Sequence, residues 1–214
     1  MMKLFDRDLI PPAPDLAFEL PMWEYRWHAA GLDEAGRGAW AGPVMVAAVV
    51  LPMDKTILPR LAGVRDSKQL KPAERAYLAK IIQSETTWAI GSASNLEIDE
   101  IGILPATRLA MSRALFSLKH PVDSLLIDAL FLPDVLLPQV ALVKGDQRSL
   151  SIAAASILAK TARDAWMCEA AEEYTLYGFE RHKGYGTKLH QVSLANYGPC
   201  PLHRNSFQPI KAIK

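Results

Sequence analysis

The period of apolar and polar positions changes along this chain, and the changes mark out its elements. WHAAGLDEAG opens as a strand, and PVMVAAVVL (43–51) is a nearly continuous β-branched run that reads as a buried strand. TTWAIGSAS (86–94) alternates as a strand does, while SLLIDAL (124–130) and PQVALVKGD (138–146) are short apolar runs that each lead to an acid. Helical spacing covers about Pro72 to Ser84, with the proline in the first turn. It returns on both sides of Gly102 and Pro105, most strongly over about 105–119. The longest helical pattern runs over 149–178 and closes on Gly178. Its IAAAS stretch is small enough to lie close against a sheet. LIPPAPDLAFELP is too proline-rich for a helix, so residues 1–28 are read as an extended arm. Antiparallel strands followed by strand–helix alternation predict an α/β domain.

Composition narrows the classes. The chain has 214 residues, half of them apolar and 22% charged, enough for one large domain with a sizeable core. No apolar run approaches the roughly 18 residues that span a membrane. The acids and prolines scattered through the first thirty residues argue against a secretory signal. Cys168 and Cys200 match no paired metal spacing and suggest no disulfide framework, which fits a cytoplasmic setting.

Charge changes the picture more. The net value of +1 conceals an asymmetry, because residues 144–214 hold ten Lys/Arg against six Asp/Glu. No acid follows Glu180, whereas six Lys/Arg and the histidines His182, His190 and His203 do. Such a tail suits a polyanion such as nucleic acid. A merely solvated basic surface explains it equally well.

The candidate chemistry is carboxylate chemistry. Asp33 and Glu34 lie where the first strand begins, Asp128 ends the strand LLID, and Asp146 follows the strand VALVK. An acid after a strand is ordinarily a turn former or helix cap, and adjacent acids ordinarily solvate a loop. Four of them converging on one sheet edge would instead suit Mg²⁺ or Mn²⁺. A two-ion arrangement would offset the repulsion between neighbours and serve phosphoryl transfer. Gly36-Arg37-Gly38 offers backbone that a ligand can approach, although a tight turn accounts for it too. Asp66-Ser67-Lys68 and Lys144-Gly145-Asp146 each set a cation beside an acid, a plausible phosphate contact or a helix-start turn. Tyr185, between Gly184 and Gly186, can lie against a base or sugar, or simply pack.

Together the strings DEAGRG with AGPV, DSKQL, LLID, KGDQRSLSIAAASILAKTARD, HKGYGTKLH and YGPCPLHRNSF resemble ribonuclease HII, in that family's order and over roughly residues 29–209. The resemblance implies a ribonuclease H-like fold, a mixed five-stranded sheet flanked by helices, with a helical C-terminal extension. Beyond the arm (1–28), which lies outside the match and is unassigned, it gives a catalytic domain (29–178) and a substrate-binding extension (179–214). It carries the metal-binding carboxylates onto Asp33, Glu34, Asp128 and Asp146. It makes Gly36, Arg37 and Gly38 the sensor of the 2′-hydroxyl, Tyr185 the junction-sensing ring, and Lys68 and Lys144 contacts of substrate phosphates. Asp164 is assigned to structure. Ala129-Leu130 replaces a glycine that often follows the third acid, and Ala39-Trp40 departs from the usual small or Pro-Leu pair.

The implied function is an Mn²⁺- or Mg²⁺-dependent endonuclease, a cytoplasmic monomer acting in ribonucleotide removal. It would cut RNA/DNA hybrids and duplex DNA containing single ribonucleotides, on the 5′ side of the ribonucleotide, leaving 5′-phosphates. Two other classes are compatible with parts of the pattern. A non-catalytic nucleic-acid-binding module would leave the four acids idle, and another ribonuclease H-fold nuclease would cut all-DNA substrates.

Overall fold

The computed structural model describes residues 6–213. Five strands form one sheet: β1 (Ala29–Ala35), β2 (Val44–Val50), β3 (Thr87–Ala93), β4 (Ser124–Asp128) and β5 (Gln139–Leu142), in the spatial order β3-β2-β1-β4-β5. β1–β2 and β2–β3 pair antiparallel, while β1–β4 and β4–β5 pair parallel. The sheet is therefore mixed and, with helices on its faces, is the ribonuclease H-like α/β architecture.

The helices are α1 (Glu19–Glu24), α2 (Ile57–Arg60), α3 (Pro72–Glu85), α4 (Asn95–Ile101), α5 (Ile103–Ser117), α6 (Leu150–Glu173), α7 (Phe179–His182), α8 (Lys188–Tyr197) and α9 (Ile210–Ile213). α6 and α3 bury one apolar cluster against Ala47 and Val49 of β2. α5 buries the other against Leu32, Val46, Leu125 and Ile127. The small residues at the start of α6 bring it onto β1 as their size predicts. A Cβ at Gly31 would stand 2.3 Å from the Ser151 carbonyl carbon, so only glycine admits that approach. Among the described residues, no helix is long and apolar enough to cross a membrane.

Three expectations are corrected. The arm is not wholly extended, because Glu19–Glu24 is helical. Pro21 falls in its first turn, where a missing N–H costs no intrahelical bond. The longest helix stops at Glu173 and not at Gly178, which instead takes φ +72° and caps α7. Asp33 and Glu34 stand in the second half of β1 and not at its start. That last shift matters most for the site. β1 and β4 run parallel with Leu32 opposite Ile127, so Asp33 and Asp128 come one step later at the same sheet edge.

Residues after α6 fold back onto its end. Phe179, Leu194 and Ile210 form a small core with Met167, Tyr177 and Ala41. Asp164 pairs with Arg75 at 3.0 Å and with Lys160 at 2.7 Å.

Candidate active site

Strand alternation turns Asp33 and Glu34 to opposite faces of β1, which eases the crowding of adjacent acids. Asp33 lies on the α6 side and accepts the Glu34 amide at 2.7 Å. Glu34 accepts from Arg37 Nη1 at 3.1 Å through Oε1, while its Oε2 is buried without a hydrogen-bond partner. Asp128 accepts the Gly145 amide at 2.7 Å, which ties the end of β4 to the short 3₁₀ turn Gly145–Gln147 that carries Asp146. Lys68 Nζ reaches Asp146 at 3.9 Å.

The electrostatics are those of acids held together out of water. Burial, then the charges of Glu34 and Asp128, push Asp33 well above the usual carboxylate range. Burial also raises Glu34, with Arg37 opposing it, and raises Asp128 against the pull of the Gly145 amide and Lys68. Asp146 is pushed up to about 7 by burial, then by Asp66 and Asp128. Burial pulls the Lys68 ammonium down, but Asp146, Asp66, Asp33 and Asp128 outweigh it.

This donor set fits a hard divalent cation: oxygen ligands only, each favouring added positive charge, with one buried carboxylate oxygen unpartnered. Among the described residues, no three His, Cys, Asp or Glu side chains already stand at ligand spacing.

A cleft of about 410 Å³ opens beside the acids, lined by Glu34, Gly36–Gly38, Ser67, Lys68, Ser156, Lys160 and Tyr185. The structure thus brings Gly36, Arg37, Gly38, Lys68 and Tyr185 to one opening. Lys144 sits elsewhere in character: it is half-buried, takes φ +55° at the start of the 3₁₀ turn, and pairs with no acid among the described residues.

Two buried arginines hold this opening in shape. Arg163 donates to the carbonyls of Pro43 (2.9 Å), Ala41 (3.0 Å) and Lys183 (2.9 Å), with its guanidinium carbon 5.4 Å from the centre of the Tyr185 ring. Arg204 donates to Arg37 O at 2.9 Å and Gly42 O at 3.0 Å. Lys160 Nζ lies 5.5 Å from the Tyr185 ring. Trp40 fills the space beside Gly186, where a Cβ would come within 2.1 Å of its ring, so the unusual Ala39-Trp40 pair is packed against the tyrosine loop.

Sequence reasoning missed Arg163, Arg204, Lys160 and the acid Asp66 beside Asp146. Arg163 and Lys160 lie in the AKTARD string, but nothing in residue type distinguishes a buried arginine from a solvated one. Asp66 was visible only as part of DSK.

A family model described as Ribonuclease HII matches residues 30–210. A ribonuclease HII of Chloroflexus aurantiacus is 53% identical over 201 residues, covering 92% of this chain and 94% of that protein. One from Roseiflexus castenholzii is 56% identical over 183 residues, covering 85% and 82%. The crystal structure of ribonuclease H2 from Pyrococcus horikoshii superposes with a TM-score of 0.69 at 27% identity, covering 86% of this chain and 96% of that one.

Proposed function

The chain belongs to the ribonuclease HII family, and from that membership we propose that Asp33, Glu34, Asp128 and Asp146 hold its catalytic divalent cations. The protein is a metal-dependent endoribonuclease acting on RNA/DNA hybrids and on ribonucleotides embedded in DNA. When bound, two Mn²⁺ or Mg²⁺ ions would supply positive charge to the attacking and leaving oxygens of phosphodiester hydrolysis. The observation that carries the ligand assignment is the convergence of four charge-burdened carboxylates at one sheet edge, beside a cleft floored by Gly36–Gly38.

The chain's own residues then divide the remaining work. The Gly36–Gly38 backbone, unobstructed on the cleft side at Gly38, reads the 2′-hydroxyl, the atom that separates RNA from DNA. Arg37 holds Glu34 in place through its ion pair, and its own carbonyl is held by Arg204. The Tyr185 ring, steadied by Arg163 and Lys160, lies against the neighbouring deoxyribose. Lys68 and Lys144 contact phosphates, and the scissile bond is the one 5′ to the ribonucleotide, leaving a 5′-phosphate. In this reading 29–178 is the catalytic unit and 179–214 the substrate-binding extension. In this reading one chain acts alone, as a monomer. Free Cys168 and Cys200 suit the cytoplasm, where ribonucleotides are removed from DNA.

The test is cleavage of a duplex containing one ribonucleotide, with and without Mn²⁺ or Mg²⁺, beside an all-DNA duplex. Metal-dependent cutting 5′ to the ribonucleotide alone is the expected result. Cutting of the all-DNA duplex would replace the 2′-hydroxyl reading.

A further inference from the structure

Among the described residues before β1, none lines the cleft, yet one side chain there is joined to the carboxylates by a short series of hydrogen bonds. Glu19, in the first turn of α1, is 1% exposed. Its Oε1 accepts from Ser149 Oγ at 2.6 Å, Ser151 N at 3.0 Å and Ser151 Oγ at 2.7 Å. It thereby caps α6 from outside the helix, where the aligned peptide dipoles favour a carboxylate. Ser149 N in turn donates to Gly145 O at 2.9 Å, and Gly145 N donates to Asp128 Oδ1 at 2.7 Å.

The same stretch is gripped from its other side. Asp15 N donates to Arg148 O at 3.3 Å and Leu150 N donates to Asp15 O at 2.9 Å, so the arm brackets Ser149 as a strand would. Phe18 and Met22 pack on Leu126, Leu142 and Ile152 beneath the turn. The turn has no slack, because a Cβ at Gly145 would stand 2.7 Å from Ile152 Cδ1 and 3.2 Å from Leu142 Cβ. Burying a carboxylate is costly unless its surroundings compensate, and stability alone is more simply served by an apolar side chain.

We propose that Glu19 is a positioning residue for the metal centre: through Ser149 and Gly145 it fixes the turn that sets Asp128 and Asp146. The inference rests on those two acids being ligands. It gives the arm a role in catalysis without contact to substrate or cation.

The experiment is calorimetric titration of the full, nucleic-acid-free protein with Mn²⁺, paired with the Mn²⁺ concentration that gives half-maximal cleavage and with duplex Kd. Glu19→Ala is expected to weaken Mn²⁺ binding about 10- to 100-fold, the usual consequence of losing support behind a ligand. Half-maximal cleavage should move to higher Mn²⁺ by a similar factor, with duplex Kd unchanged. Glu19→Gln, whose amide oxygen still accepts from Ser149 and Ser151, should recover most of the affinity. Met111→Ala, in the core on the far side of the sheet, should lose stability without losing Mn²⁺ affinity. If Glu19→Ala does not fold, Ser149→Ala should move both readouts in the same direction. Unchanged Mn²⁺ binding in Glu19→Ala, or in Ser149→Ala where Glu19→Ala does not fold, or equal weakening in Met111→Ala, would overturn the proposal. Mn²⁺ binding indifferent to Asp128→Asn would remove the ligand assignment and this inference together; loss in Asp128→Asn beside an unmoved Glu19→Ala would remove the inference alone.

Discussion

Gly36 rests directly on the guanidinium of Arg163: a methyl group at Gly36 would sit 1.9 Å from Nε. Gly36 also takes φ +95°, a conformation that side chains rarely adopt. Arg163 cannot easily move aside, because its nitrogens are committed to the carbonyls of Ala41, Pro43 and Lys183. Gly36→Ala should therefore cost at least about 2 kcal/mol of stability and most of the activity. A methyl group added at Gly38 would meet nothing within 4 Å, and Gly38 has no positive φ, so Gly38→Ala should fold like the parent. If substrate approaches that backbone closely, Gly38→Ala should still cut poorly. Denaturant melts beside cleavage rates separate the two glycines; full activity in Gly38→Ala would move the sugar-reading role elsewhere.

Asp33→Asn should trade activity for stability. Asp33 is 4% exposed, and burial, then Glu34, Asp128 and Asp146, oppose its charge. An asparagine carries no charge for burial and the neighbouring acids to oppose, so the metal-free variant should be more stable by about 1 kcal/mol near pH 7.5. The upward shift of Asp33 means its charge burdens the fold more as pH rises, so the gain should shrink in acid. Cleavage should fall at least a hundredfold, given that even indirect support of a ligand is worth 10–100-fold. Melting temperatures with and without Mn²⁺ are the measurement, and the Mn²⁺-induced rise should be largest in the parent. A destabilised metal-free Asp33→Asn would contradict the reading.

The strands and the main helices were legible because their apolar periods are long and unbroken, as in Val44–Val50 and Pro72–Glu85. What was not legible depends on distant partners. The α1 helix is short, and its burial comes from residues more than a hundred positions away, such as Ser149 and Ser151. The acids were visible as strand-end residues, but their shared edge follows from the parallel pairing of β1 with β4, which no local pattern encodes. Arg163 and Arg204 are polar by type and wholly buried by circumstance.

Ala129 occupies a position that favours glycine. It follows Asp128 with φ +50°, where a Cβ costs roughly 1–2 kcal/mol. Ala129→Gly should relieve part of that strain against the greater entropy lost by glycine, for a net gain of about 0.5 kcal/mol. A denaturant midpoint shifted upward with an unchanged slope is the expected signature. A downward shift would mean that the Ala129 methyl contributes more through packing than its backbone costs.

Tyr185 faces the cleft with Arg163 and Lys160 behind it. Stacking on a nucleotide is worth about 1–3 kcal/mol by truncation. Tyr185→Ala should thus lower cleavage at a single embedded ribonucleotide about tenfold to a hundredfold, with a smaller loss in duplex affinity. Tyr185→Phe should stay near the parent because the ring, and not the hydroxyl, makes the contact. Equal losses in binding and cleavage would show that the ring only packs.

The loop carrying Tyr185 is held by three neutral histidines, and this makes a pH prediction. His203 Nδ1 accepts the Cys200 amide at 2.9 Å, so its Nε2 carries the proton toward His190 Nε2, 2.9 Å away. His190 Nε2 is then the acceptor, and its Nδ1–H donates to the Tyr185 carbonyl at 3.1 Å. His182 stacks on His190 with ring centres 4.4 Å apart, donates to Tyr177 O and accepts from Gly184 N. An added proton on any ring finds a donor already facing it. Burial, aided by the neighbouring rings, accordingly lowers His190 and His203 to about 4. Both folded values lie below the unfolded value near 6.5, so the unfolded chain binds more protons between those limits. The histidines' contribution is complete above about pH 6.5 and is lost as pH falls toward 4. Each pH unit inside that window removes up to about 1.4 kcal/mol per histidine. The buried acids slope the other way when metal is absent, so the comparison is between the parent and His190→Gln, measured by denaturant unfolding at several pH values. Subtracting the two curves should leave a difference that grows as pH drops below 6.5 and approaches one proton in slope. Parallel curves would mean that His190 titrates in the folded protein much as it does in the unfolded chain.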